Sequence, residues 1–103
     1  PTSTPTLTPF PSNLPPVAYD DSASTVLNTP VTIFVLSNDS DPDGDPLTIT
    51  ATTDGANGTV STDGTSVTYT PNASFTGSDS FTYTISDGNG GFASASVEVI
   101  VNP

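Results

Sequence analysis

The sequence predicts an all-β fold, a sandwich of two packed sheets built from about seven short strands. Apolar residues alternate with Ser and Thr along most of the chain, which is the period of a half-buried strand. Clusters of Gly, Asn, Asp and Pro separate these runs at the spacing expected for a sandwich. A chain of 103 residues is long enough for one domain with one modest core.

The first five strands are expected to follow one another through short connections. A first strand is predicted near residues 24–27, and a short fourth strand near residues 59–61. The second, third and fifth strands are predicted from apolar residues at every second position. Their alternating residues are Val31, Ile33 and Val35, then Leu47, Ile49 and Ala51, then Val67 and Tyr69.

The last two strands form the clearest predicted pair. Phe81, Tyr83 and Ile85 alternate with Thr before residues 86–91, which have the composition of a hairpin turn. No helix is expected, and the strand count is that of an immunoglobulin-type Greek-key sandwich. The final strand is predicted from Ala93, Ala95, Val97, Val99 and Val101.

Six aromatic residues follow the strand period, and core packing is their predicted role. The alternative is a carbohydrate-binding platform, which needs aromatic rings exposed along one face. The chain has no Trp, which makes such a platform the weaker interpretation. The six residues are Phe34, Tyr69, Phe75, Phe81, Tyr83 and Phe92.

Residues 1–16 are predicted to be a Pro/Thr-rich linker or docking segment, and residues 17–103 the sandwich itself. Proline fixes φ and removes a backbone donor, so this composition favours an extended spacer. One alternative is docking of the segment on a neighbouring copy, with Thr6-Leu7-Thr8 added to a sheet edge or Phe10 as an anchor. Another is an O-glycosylated stalk carrying its sugars on Thr2, Ser3, Thr4, Thr6 and Thr8.

Charge restricts the possible partners. The chain has 11 Asp and Glu residues, no Lys, Arg or His, and a formal net charge of −11. Nucleic acids and anionic membranes require Lys and Arg for neutralisation, so neither is expected as a partner. No segment approaches the roughly 18 apolar residues of a membrane span, so direct membrane insertion is not expected. A divalent cation is the natural partner of such a chain.

The segment between the second and third strands carries the strongest chemical signal. It reads Asn-Asp-Ser-Asp-Pro-Asp-Gly-Asp-Pro over residues 38–46, with no basic residue to offset its carboxylates. Calcium prefers six to eight oxygen ligands, and Gly44 would allow the loop to curl around one ion. An EF-hand is rejected because its twelfth position would be Thr50, within a predicted strand rather than beside a helix. The alternative is a solvated acidic loop that binds no ion.

Further acids are expected to complete the calcium site. In a sandwich, the loop between strands two and three lies at the same end as the loop between strands six and seven. Asp87 of the last turn would therefore meet the acidic loop, and the residues that enter the first strand would join them. The predicted calcium ligands are Asp39, Asp41, Asp43, Asp45, Asp87, Asp20 and Asp21. Asp54, Asp63 and Asp79 are interpreted as turn residues.

Several segments in the same order resemble the Ig-like, cadherin-like tandem repeats of large bacterial surface adhesins. They are Pro-Val-Ala-Tyr-Asp-Asp at 16–21, the acidic loop with its flanks at 35–47, Val-Thr-Tyr-Thr-Pro-Asn at 67–72, and residues 75–91. The resemblance implies an extracellular or cell-surface β-sandwich in an array, with structural calcium held near domain junctions. It carries the ligand role onto Asp39, Asp41, Asp43, Asp45 and Asp87. The chain departs from the family at its last residues, Val101-Asn102-Pro103, where a Val-Asn-Asp-Ala-Pro linker is common.

The leading functional prediction is a calcium-binding structural or adhesive repeat module with no enzymatic activity. The alternatives are a filament subunit whose N-terminal segment docks on the next copy, and a carbohydrate-binding accessory module of a secreted enzyme that contacts surface glycans. Catalysis is not expected because the chain has no His or cation to activate a nucleophile. Three N-glycosylation sequons, beginning at Asn38, Asn57 and Asn72, are weak signals in a chain so rich in Ser and Thr.

Overall fold

A computed structural model describes residues 13–103 and confirms an all-β sandwich of seven strands. The predicted docking segment Thr6-Leu7-Thr8, the anchor Phe10 and the hydroxyls proposed for O-glycosylation lie outside the described residues. No described helix is both long and apolar enough to cross a membrane. The strands are β1 (Asp21–Val26), β2 (Val31–Ile33), β3 (Thr48–Thr52), β4 (Gly58–Thr62), β5 (Val67–Pro71), β6 (Gly77–Ser86) and β7 (Phe92–Asn102).

The strands form two sheets, a four-stranded sheet in the order β1-β7-β6-β3 and a three-stranded sheet in the order β2-β5-β4. Each sheet combines strands that are distant in sequence, as in an immunoglobulin-type Greek key. β6 and β7 pair over ten residues, from Gly77 opposite Val101 to Ser86 opposite Phe92. β1 runs parallel to β7 and forms one edge of the larger sheet. The predicted C-terminal hairpin is therefore the centre of that sheet.

The core lies between the sheets and follows the period of two. In β7 the exposed residues alternate with buried ones, because successive side chains point to opposite faces. Each buried Val, Ile or aromatic side chain contributes about 1.5–3 kcal/mol. The rings of Tyr69 and Phe81 stack across the two sheets, with centroids 6.1 Å apart. The largest fully buried residues are Val35, Val67, Tyr69, Tyr83, Ile85, Val97, Val99 and Val101.

Two local predictions were wrong in the β2–β3 region. Strand β2 ends at Ile33, and residues Val35–Asn38 form one turn of 3-10 helix where alternation predicted strand and no helix. Val35 is still fully buried, so burial at every second position did not distinguish the turn from a strand. In β3, a bulge between Ile49 and Ala51 shifts the register and leaves Ala51 exposed.

The core prediction also failed for two of the six aromatic residues. Tyr69, Phe81 and Tyr83 are buried, and Phe75 is half-buried against the core. Phe34 is 69% exposed because the adjacent Ile33 and Val35 face inward and direct it to solvent. Phe92 is 58% exposed because it begins β7 with its side chain on the outer face of the sheet, whereas Ala93 and Ala95 face the core.

The acidic loop and the β6–β7 turn lie at the same end of the sandwich. The acidic loop follows the 3-10 turn. Strand β7 ends at Asn102, beside Val26, at the opposite end of the domain. The chain therefore enters and leaves the domain at opposite ends. A backbone bridge between Val17 and Ser40 fixes the entry point beside the acidic loop.

Candidate metal centre

The acidic loop curls because Asp41 accepts hydrogen bonds from backbone N–H groups of later loop residues. Its Oδ2 accepts the N–H groups of Asp43 at 2.9 Å and Asp45 at 3.1 Å. Gly44 donates its N–H to the Asp41 carbonyl at 3.0 Å and has φ of +74°, a conformation that glycine adopts without strain. The three loop carboxylates consequently point toward one region. One oxygen from each of the three carboxylates lies within 4.8 Å of the other two.

The carboxylates of Asp43 and Asp45 each accept a hydrogen bond at Oδ2, the first from a backbone N–H and the second from an Asn side chain. Asp43 Oδ2 accepts the N–H of Leu14 at 2.8 Å, and Asp45 Oδ2 accepts the side-chain amide of Asn89 at 3.0 Å. Both donors come from outside the loop, one from the chain entry and one from the β6–β7 turn. These contacts fix the orientation of the carboxylates in the way that outer-shell donors orient metal ligands.

Asp41 Oδ1 differs from the other carboxylate oxygens of the loop in its surroundings. It is buried and, within the described part of the chain, has no hydrogen-bond partner. A buried carboxylate oxygen without a donor is costly, and no Lys, Arg or His exists in the sequence to supply a charge. Opposite ligands of one calcium ion lie about 4.6–5.2 Å apart, twice the calcium–oxygen distance. The carboxylates of Asp41, Asp43 and Asp45, a triad, could therefore hold a hard divalent cation.

Asp87 lies beside the triad but directs its carboxylate to the protein. It is 2% exposed, and its Oδ1 accepts the N–H groups of Asn89 at 2.8 Å and Gly91 at 3.0 Å. Its Oδ2 accepts the side-chain amide of Asn13 at 2.7 Å. The hydrogen bond from Asn13, followed by those from the backbone, lowers the pKa of Asp87 despite burial. Asp87 therefore shapes the turn that carries Asn89 and is outside the triad of clustered oxygens.

Asp39 and Asp21 form a second group around Tyr83. The Tyr83 hydroxyl donates to Asp39 Oδ2 at 2.7 Å and lies 3.2 Å from Asp21 Oδ2. Burial raises the pKa of Asp21, and the neighbouring charge of Asp39 raises it further. Burial and the hydrogen bond to Asp39 likewise raise the pKa of Tyr83. Asp39 also accepts the N–H of Tyr19 at 2.9 Å, which holds the chain entry against the acidic loop.

Asp20 lies on the edge of the sheet, where its Oδ1 accepts the N–H of Ser96 at 2.9 Å. The structure thus brings together three of the seven predicted ligands, places Asp87 next to them, and leaves Asp39, Asp21 and Asp20 in hydrogen bonds of their own. The ligand roles of these seven residues stay predictions.

The residues that donate to the triad and to Asp87 have no signal in the sequence. Asn13, Leu14 and Asn89 act through amide groups, which carry no charge and occur in ordinary turns and linkers. Asp63 is a turn residue as predicted, and the N–H groups of Thr65 and Ser66 lower its pKa to about 2. The same prediction was wrong for Asp79, which is buried within β6.

A family model of the bacterial Ig domain matches residues 13–100. A curated relative, the Protein GAMETE EXPRESSED 2 of Arabidopsis thaliana, is 36% identical over 86 residues, which cover 84% of this chain and 9% of the relative. The chain therefore spans less than one tenth of that protein's length.

Solved structures share the fold over most of the chain. One from an endo-fucoidan hydrolase of glycoside hydrolase family 107 has a TM-score of 0.56 and 25% identity, and covers 97% of this chain and 16% of that one. A nucleoside hydrolase-related hypothetical protein from Saccharophagus degradans has a TM-score of 0.52 and 19% identity, and covers 88% of this chain and 26% of that one. With a family match over nearly the whole described region, this chain belongs to the bacterial Ig domain family.

Proposed function

We propose that this domain is a calcium-stabilised structural module of an extracellular or cell-surface protein, with no catalytic role. The observation that carries the proposal is the buried Oδ1 of Asp41, which lacks a donor among the described residues and belongs to a triad of converging carboxylates. Bacterial Ig domains are typically extracellular, where calcium is abundant enough for weak sites of about 0.1–1 mM affinity.

The modular part of the proposal is supported by where the chain enters and leaves. Entry at Val17 and exit at Asn102 lie at opposite ends, so copies or other domains can follow one another in a line. The matched proteins are several times longer than this chain, which supports a role as one part of a larger protein. Calcium at the entry end would offset the repulsion among its carboxylates and stiffen that end.

Thermal unfolding in EDTA and in rising calcium tests the proposal. A ligand that binds only the folded state at ten times its Kd adds about 1.4 kcal/mol of stability. For a domain of this size, that gain corresponds to a rise in Tm of about 6–11 °C. Magnesium should raise Tm less, because it prefers strict octahedral geometry and retains its waters.

The matched variants are Asp41→Asn and Asp54→Asn. Both remove one negative charge, but Asp54 accepts the N–H of Val60 in a different loop and is not in the triad. The calcium-dependent rise should be lost in Asp41→Asn and kept in Asp54→Asn. An equal rise in Tm in both variants would mean that calcium acts through general charge screening. If calcium does not raise the Tm of the wild type, the proposed site is wrong and the loop is a solvated turn.

A second candidate function is glycan binding through individual exposed aromatic side chains, since Phe34 follows β2 of one sheet and Phe92 begins β7 of the other. Tyr19, Phe34 and Phe92 are 55%, 69% and 58% exposed. The fold is shared with parts of a fucoidan hydrolase, which supports a test with polysaccharides. Affinity electrophoresis in gels containing fucoidan or neutral glycans should show retardation that Phe34→Ala or Phe92→Ala removes. Unretarded wild-type protein across the panel would contradict this candidate.

A further inference from the structure

The two sheets of the sandwich end in four edge strands, β1 and β3 in the larger sheet and β2 and β4 in the smaller one. An edge strand presents unpaired N–H and C=O groups, with which another extended chain can pair. Proteins protect such edges with charged side chains, proline, bulges, very short strands or a covering loop. The partners of the outward backbone groups therefore show which edges of this domain are closed and which is open.

Three of the four edges are protected. On β3, the N–H of Ile49 donates to the carbonyl of Gly64 in the β4–β5 turn at 2.8 Å, and a bulge follows at once. On β4, the N–H of Val60 donates to the carboxylate of Asp54 at 2.8 Å, which places a negative charge on that edge. Strand β2 has only three residues and follows Pro30, so it offers little backbone for pairing.

Strand β1 has none of these devices in the part of the chain that the structure describes. The N–H of Leu27 donates to the Asn102 carbonyl at 2.8 Å, and the Thr25 carbonyl accepts the Asn102 side-chain amide at 3.3 Å. The backbone groups of odd-numbered residues in this segment thus point to β7. Because these groups alternate in direction along a strand, those of Ser22 and Ser24 point away from the sheet. Neither N–H has a partner within residues 13–103.

The two Asp residues at the start of β1 do not guard this edge. Asp20 Oδ1 accepts the N–H of Ser96 on β7, and Asp21 Oδ2 accepts the hydroxyl of Tyr83. Both carboxylates are therefore directed to the protein. Residues 22–27 include no charged residue and no proline, in a chain with a formal net charge of −11. The open edge is consequently an uncharged segment that another strand can approach.

This edge is complementary to itself. When two β1 strands run antiparallel about Ser24, each Ser24 faces its own copy, and Ser22 faces Val26 of the other copy. All three residues direct their backbone groups outward, so they form the hydrogen-bonded pairs of an antiparallel ladder. Asp20 and Asp21 of the two copies then lie at opposite ends of the pairing. A parallel arrangement would instead place these like charges side by side, which is unfavourable.

Exposed apolar side chains lie next to the open edge. Val26 is 51% exposed, and Ile100, which pairs with Ser24 on β7, is 41% exposed. The antiparallel arrangement brings Ser22 of the other copy against Val26 and covers part of this apolar surface. Burial of that surface favours association in addition to the backbone hydrogen bonds.

We propose that β1 is an interaction edge through which two copies of this chain associate by antiparallel β1–β1 pairing about Ser24. The pairing joins the larger sheets of the two copies into one continuous sheet with a two-fold axis, as is usual for homodimers. A contact confined to one strand belongs to the small and transient class of interfaces. This inference does not depend on calcium, so its tests are made in EDTA.

Ser24→Pro removes the N–H at the centre of the pairing. That N–H points outward, so the substitution removes no bond to β7, and an edge position of this kind tolerates proline. Ser24→Ala is the matched control because it keeps the N–H. Melting temperatures verify that both variants are folded.

Sedimentation equilibrium of the full chain, at concentrations up to about 1 mM because small interfaces are weak, measures the association. The mean mass of the wild type and of Ser24→Ala should rise above that of the monomer with concentration, whereas folded Ser24→Pro should remain monomeric. Added NaCl should strengthen the association, since it screens the repulsion between two copies that each carry a net charge of −11.

Cysteine substitutions test the register independently, because the chain has no Cys of its own. In the proposed pairing the Cα atoms of the two copies of residue 24 lie about 5.5 Å apart, a distance that a disulfide can bridge. Oxidation with diamide should therefore cross-link Ser24→Cys faster than Ser22→Cys, which faces Val26 of the other copy. Ser96→Cys, exposed on β7, is the control away from the edge.

A wild type that stays monomeric at about 1 mM in high salt overturns the proposal, since even weak pairing would be visible there. Equal association of wild type and folded Ser24→Pro would place the interface elsewhere and overturns it too. If Ser24→Pro does not fold, the cross-linking decides, and equal rates at the three Cys positions contradict the register. Failure of the proposed calcium site leaves each of these outcomes unchanged.

Discussion

The Tyr69 hydroxyl donates to Asp79 Oδ2 at 2.7 Å and so connects the two sheets, since Tyr69 lies on β5 and Asp79 on β6. Asp79 is buried and also accepts the N–H groups of Ala56, Asn57 and Ser80, each at 2.9 Å. Burial opposes ionisation of Asp79, but these donors together lower its pKa. A buried charge in a chain without cations is thus stabilised by neutral donors alone.

Tyr69→Phe is expected to lower the free energy of unfolding by about 1–3 kcal/mol, because it removes a side-chain donor from a buried carboxylate. The ring remains and so does its stacking on Phe81. Urea denaturation measures the effect. Tyr19→Phe is the matched control, since Tyr19 is 55% exposed, and it should change stability by less than about 0.5 kcal/mol. Equal effects of the two substitutions would contradict a role for the inter-sheet hydrogen bond.

Gly58→Ala should destabilise the domain by about 1–3 kcal/mol, the usual cost of overpacking a core. Gly58 is buried at the start of β4, and a Cβ placed there would overlap the ring of Tyr69. Thr59→Val, at the adjacent exposed position, should stay within about 0.5 kcal/mol of the wild type. Equilibrium denaturation measures both variants, and a wild-type stability for Gly58→Ala would show that Tyr69 can move away.

Asp41→Asn is expected to have a higher Tm than the wild type in EDTA. In calcium, by contrast, it should lose the rise in Tm that the wild type shows. The amide oxygen can still accept the N–H groups of Asp43 and Asp45, while one charge of the triad disappears. Added NaCl should raise the Tm of the wild type more than that of the variant, because salt screens repulsion among exposed charges. A lower Tm for the variant in EDTA would mean that the ionised Asp41 stabilises the fold without a metal.

Asp21→Asn should stabilise the domain at pH 7 in EDTA, with the difference disappearing at low pH. The folded-state pKa of Asp21 is raised above its ordinary value of 3.8, mainly by burial. Its protonated form therefore favours folding fully below pH 3.8, and this contribution is lost as pH rises through the raised pKa. Tm measured from pH 3 to pH 7 checks the sign. A difference in Tm between Asp21→Asn and the wild type that widens toward low pH would contradict the raised pKa of Asp21.

Local sequence patterns were enough to predict the fold class, most strands and the acidic character of one loop. Alternation of apolar and hydroxyl residues is a local property, and it identified the β6–β7 pair because both strands are long and regular. The chain length and the absence of cationic residues are equally independent of conformation. Alternation failed at Val35–Asn38 and at Ala51, where a 3-10 turn ends the strand and a bulge shifts its register.

Which carboxylates converge and which accept hydrogen bonds from the protein depends on contacts made in the folded domain. Asp41, Asp43 and Asp45 converge because the loop folds on the backbone N–H groups of its own residues. Asp79 and Asp87 are instead enclosed by donors from distant segments, some of them more than twenty residues away in sequence. The identity of an Asp reveals its charge, but its surroundings set whether that charge binds a cation or orders the protein, and those surroundings exist only after the two sheets have packed.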